Sequence, residues 1–132
     1  MAYIRSGNGG GGSLVKTTLW TNSNPSSGMG EVTLTLSESA TNFDYIGIKY
    51  QGRTSYTPTR EYDVIIPIET WNNSSTSTTD TAGPFEIAIG YNYGGFFNRT
   101  IQRVSDTSLK VSKRGSYSDS ACAPLEIYGL KV

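Results

Sequence analysis

Apolar residues recur at every second position in three separate runs, a period that confines each run to a pleated strand with one buried face. In Glu31 to Ser37, Val32, Leu34 and Leu36 point one way and Glu31, Thr33 and Thr35 the other. In Asp44 to Tyr50 the buried set is Ile46, Ile48 and Tyr50, alternating with Tyr45, Gly47 and Lys49. In Pro84 to Tyr91 it is Phe85, Ile87, Ile89 and Tyr91, against Glu86, Ala88 and Gly90. No helical period of three to four residues persists over a useful length.

Further runs extend the pattern to eight strands, near 14–21, 31–37, 44–50, 61–68, 84–92, 95–104, 107–113 and 124–131. Glu61 to Glu69 aligns Tyr62, Val64, Ile66 and Ile68, but Pro67 has no N–H to give to a ladder and marks an edge or a bulge. The last run, "LEIYGLKV", is apolar in both registers: Leu125 and Ile127 on one side, Tyr128, Leu130 and Val132 on the other. Both faces of that strand should therefore be covered, one by a second sheet and the other by something else, for which a neighbouring subunit is a candidate. Between the runs lie Gly, Pro, Asn, Asp and Ser clusters such as "NSNPSSGMG", "SATNFD" and "SDTS", which are turn chemistry. The expectation is an all-β fold, an antiparallel two-sheet β-sandwich of about eight strands. A jelly roll is its first form and an immunoglobulin-like sandwich its second.

The chain has 132 residues, which fits one domain with a real core. Eleven basic residues balance eleven acidic ones, so no net field favours nucleic acid or an anionic membrane as a partner. Cys122 is alone and cannot form a disulfide within the chain. No apolar run approaches the roughly 18 residues of a membrane helix, and "MAYIRSGNGG" has no signal-peptide core, so synthesis in a cytoplasm without membrane insertion is expected.

Histidine is absent, which removes the commonest general base and the usual zinc ligands together. Cys122, in "SACAP", reads as an inert thiol. Glu61 and Asp63 share a strand face and could serve glycan hydrolysis, although acids on a solvated strand face are routine. Asp80, Asp106 and Asp119 fall in loops without the clustered pattern of a calcium site. The expectation is a protein that is not an enzyme and holds no cofactor or metal.

Aromatic and amide side chains are the other source of function. Trp71 and Asn72 open a long polar loop, and Tyr91, Tyr93 and Phe96 flank "YNYGG"; flat rings and amides there could meet a sugar or a protein surface. These five are the candidate surface contacts. Tyrosines packed across a tight hairpin would read the same way. Trp20, in the first strand, is assigned to the core.

Gly7 to Gly12 holds five glycines in six residues, and residues 1–13 have the composition of a linker ahead of a domain spanning 14–132. The run continues without a break into β-prone "LVKTTLWTN" and reads as a docking segment. Tyr3, Ile4, Arg5, Gly9, Gly10, Gly11 and Gly12 are its candidate assembly residues, joined by Leu130 and Val132 on the two-faced last strand.

The opening "MAYIRSGNGGGGS", then "TTLWTNSNPSSGMGEVTLTLSESATNFDYIGIKY", and the ending "PLEIYGLKV" resemble small virion structural proteins of tailed bacteriophages, of the tail-fibre, baseplate or head-fibre kind. The resemblance implies a short N-terminal segment that docks on the virion and a displayed β-sandwich, often trimeric, partnered by other virion proteins. It implies attachment to a host-surface glycan or protein, or decoration of the capsid or tail without receptor binding. A lectin-like carbohydrate-binding domain is a further reading. The centre, from "WNNSSTSTTDTAGP" to "NYGGFFN", carries no part of the resemblance.

Overall fold

Each alternating run folds as a strand. A computed structural model describes residues 13–25, 29–52, 60–72, 85–89, 97–111 and 123–132, with backbone alone for 52, 60, 72, 85–89, 97 and 98. The strands are β1 (Val15–Thr21), β2 (Val32–Thr35), β3 (Tyr45–Gly52), β4 (Arg60–Pro67), β5 (Phe85–Ile89), β6 (Phe97–Ser105), β7 (Ser108–Val111) and β8 (Pro124–Lys131). A 3-10 turn, Ala40–Asn42, precedes β3, and a short helix, α1 (Ile68–Asn72), follows β4.

Two antiparallel four-stranded sheets result, ordered β1-β8-β3-β4 and β2-β7-β6-β5. Their facing sides make one core. Leu19, Ile46, Ile48, Ile66 and Ile127 come from the first sheet, Leu34, Ile101, Leu109 and Val111 from the second. Leu36, Ala40, Phe43 and Trp71 join the core from outside the strands, and Trp20 packs against the cluster half-buried. Burying each large aliphatic side chain contributes roughly 1.5–3 kcal/mol, which fixes the register, because a one-residue slip would turn Leu34 and its neighbours to water. In that register Val32 lies opposite Val111 and Leu34 opposite Leu109.

β1 pairs with β8 and β2 with β7, the nested closure of a jelly roll. The middle strands differ. β3 pairs with β4, and β5, β6 and β7 pair in sequence, so local hairpins replace the cross-sheet steps of a jelly roll. β6 and β7 are joined by the two-residue turn Asp106–Thr107, where Ser105 Oγ accepts the Thr107 N–H at 3.2 Å.

Pro67 ends β4, an edge strand of the first sheet, as its missing N–H requires. The chain then turns into α1, so Ile68 belongs to a helix and not to the strand expected to run to 68.

The two-faced β8 is a central strand, and its outer face is covered from within the chain. Tyr128 is 5% and Leu130 7% exposed, whereas Val132 is 68% exposed. The ground for expecting a subunit contact at Leu130 is thereby corrected. Lys16 and Tyr45 flank Leu130 on the neighbouring strands, whereas Val132 in the same register stays exposed.

Candidate functional site

The outer face of the first sheet brings together charged and hydroxyl side chains from all four of its strands. On β8, Glu126 and Tyr128 point outward because Ile127 between them faces the core. On β4 the same alternation presents Glu61 and Asp63, and on β3 it presents Gly47 and Lys49. β1 contributes Lys16 and Thr18, ahead of a bulge between Thr18 and Trp20 that resets its register.

Tyr128 organises this face. Gly47 lies opposite it on β3, and the ring occupies the space that a side chain at 47 would need. The phenol crosses β3 and donates to Asp63 Oδ2 on β4 at 2.6 Å. The Lys16 ammonium sits 4.5 Å from the ring centroid, within cation–π range. Burial raises the Tyr128 pKa well above the ordinary tyrosine value, and the hydrogen bond to Asp63 and its negative charge raise it further. The hydroxyl therefore stays protonated and acts as a donor.

Glu126 anchors the other half. It accepts from Thr18 Oγ1 at 2.6 Å and from Lys16 Nζ at 3.1 Å. Burial alone would raise its pKa, but those two bonds and the positive charges of Lys16 and Lys49 outweigh it, so the carboxyl lies below its usual value. Lys49 Nζ also reaches Glu61 at 3.8 Å. The result is a cross-linked polar face with donors and acceptors in fixed places, suited to recognition by hydrogen bonding and charge.

A second feature is an open cleft of about 370 Å³ lined by Asp44, Tyr45, Pro67, Ile68, Glu69 and Val132. Asp44 frames it. Its N–H donates to the Leu130 carbonyl at 2.8 Å and its carbonyl accepts the Ile68 N–H at 2.9 Å. Its Oδ2 accepts the Val132 N–H at 2.8 Å.

Among the sequence-derived candidates, Trp71 is 0% exposed and belongs to the core cluster. α1 turns its ring inward onto the apolar layer, so its assignment as a surface contact is corrected. Asn72 ends the same helix. Tyr91, Tyr93 and Phe96, together with Tyr3, Ile4, Arg5, Gly9, Gly10, Gly11 and Gly12, lie outside the described residues, as do Asp80, Asp119 and Cys122. Glu61 and Asp63 do share the outer face of β4, but they face different partners, Lys49 and Tyr128. Asp106 pairs with Arg103 at 3.4 Å. No group of three or more metal-ligating side chains occurs among the described residues, and no described helix is long and apolar enough to cross a membrane.

Sequence reasoning did not find the Tyr128, Lys16 and Glu126 cluster, whose members come from opposite ends of the chain. Gly47 is the signal that was available, since glycine inside a strand marks a close approach. Buried Arg99 was also missed; its Nη2 donates to the Met29 carbonyl at 2.7 Å and ties the segment before β2 to β6.

No protein-family model matches the chain, and no curated protein matches it.

Proposed function

We propose that the chain is a structural module of a tailed-bacteriophage virion, in which residues 1–13 attach the subunit to the particle and residues 14–132 are displayed as a β-sandwich. One observation carries the reading. The segments that resemble phage virion proteins supply β1, β8 and β3, which are adjacent strands of one sheet, and β2, an edge strand of the second. Segments far apart in sequence thus belong to a single contiguous scaffold, as expected if the resemblance reflects a shared structural unit. β4 through β7, which lie outside the resemblance, form one edge and most of the second sheet.

Within this reading the module attaches to a host-surface glycan or protein, using Tyr91, Tyr93 and Phe96 together with the outer polar face. A second reading is decoration of the capsid or tail without receptor binding. The burial of Trp71 favours it by removing one of the proposed contacts from the surface. The two are separated by adsorption assays: Tyr93→Ala abolishes attachment of particles to cells in the first reading and leaves it unchanged in the second. Removal of residues 1–13 prevents incorporation into particles in both. Incorporation of the shortened chain at the normal level counts against the whole reading.

A further inference from the structure

The cleft beside α1 has two kinds of wall. Pro67, Ile68 and Val132 supply apolar surface, while Asp44 and Glu69 supply carboxylates. Among the described residues neither carboxylate has a cationic partner. The cleft therefore suits an extended segment that presents an apolar side chain next to a positive one.

The chain's own first residues have that pattern. Residues 1–12 contain a single charged side chain, Arg5, directly preceded by Tyr3 and Ile4. They also start from the right place. Val15 at the head of β1 pairs with Lys131, and the next residue, Val132, is a wall of the cleft. Gly7 to Gly12, with five glycines, can reverse the chain through backbone conformations closed to other residues. At roughly 3.3–3.6 Å per extended residue, residues 6–12 can span up to roughly 25 Å between Arg5 and the head of β1. A tether this short holds its end near the site at an effective concentration on the order of millimolar.

We propose that Tyr3, Ile4 and Arg5 dock in the cleft of their own chain, with the Arg5 guanidinium between Asp44 and Glu69 and the two apolar side chains against Pro67, Ile68 and Val132. A surface that takes up the leader must then compete with this cleft for it.

Trypsin reads the proposed contact directly in the full-length chain, because it cuts after Arg5. Docking protects that bond, so Glu69→Lys speeds release of residues 1–5 roughly tenfold by raising the undocked fraction. Glu31→Lys, just before β2 and beside Lys110, leaves the rate unchanged. In parallel, Arg5→Ala shifts the amide resonances of Tyr45, Glu69 and Val132. An unchanged cleavage rate in Glu69→Lys, or an unchanged cleft spectrum in Arg5→Ala, overturns the proposal. So does protection that grows with protein concentration, which would assign the docked leader to a second copy.

Discussion

The ring of Tyr128 lies over Gly47 on the neighbouring strand so closely that a Cβ at position 47 would sit 2.2 Å from ring carbons Cε2 and Cζ. The outer face of the first sheet depends on this fit. It lets the phenol cross β3 to reach Asp63, and it shields a central strand that would otherwise expose apolar surface.

Gly47→Ala forces the ring out of place and lowers stability by roughly 1–3 kcal/mol, the usual cost of overpacking a filled site. Gly30→Ala is the control: no atom lies within 4 Å of its added methyl, and its effect stays within about 0.5 kcal/mol. Urea midpoints measure both. Combining Gly47→Ala with Tyr128→Ala costs less than the sum of the two, because removing the ring removes the clash.

Tyr128 makes stability depend on alkaline pH. Burial first, and then Asp63, hold its pKa above the ordinary tyrosine value of about 10. Below that value both folded and unfolded chains keep the proton and the contribution is complete. Above it the unfolded chain loses its proton first, so stability falls as pH rises. Tyr128→Phe has no phenol to titrate, and its urea midpoint declines less steeply between about pH 9 and about pH 11.

Glu126 acts in the opposite direction. Its carboxyl titrates below the ordinary value of about 4.3, so its contribution is present above that pH and is lost as the folded carboxylate takes up a proton on acidification. Glu126→Gln therefore shows a shallower loss of melting temperature on acidification. Lys16→Ala alone costs only about 0.2–1 kcal/mol near neutral pH, since the lysine side chain is 46% exposed and solvent screens the pair.

Trp71→Ala destabilises the domain by roughly 3–5 kcal/mol, a large share of the stability of a chain this size. Near-ultraviolet circular dichroism and melting temperature report the loss. A variant that keeps its melting temperature but no longer binds cells would contradict the buried position of the indole.

The alternating strands were legible because each needs only its own pattern, and all eight strands were located; Pro67, read as marking an edge or a bulge, ends an edge strand. α1 was not, because five helical residues are too few to show a period, and Ile68 also fits the alternation of β4. Trp71 could not be placed from its neighbours in sequence, since its burial depends on strands folded elsewhere. β8 was read correctly as two-faced but given the wrong cover. Gly47 held the answer, since it receives the ring of Tyr128 on the outer face; on the core face, Gly129 lies so close to the ring of Phe43 that a Cβ there would meet it at 2.3 Å. The Thr18 to Glu126 bond spans 108 positions and leaves no local trace.

We propose display of this sandwich on a phage particle. Immunogold electron microscopy, with an antibody against the folded chain applied to particles purified from lysates of the producing bacterium, tests it most directly. Gold at a defined place on intact tailed particles, lost when residues 1–13 are deleted, is the expected result. Particles that carry no label, with all of the chain recovered in the soluble fraction, would contradict it.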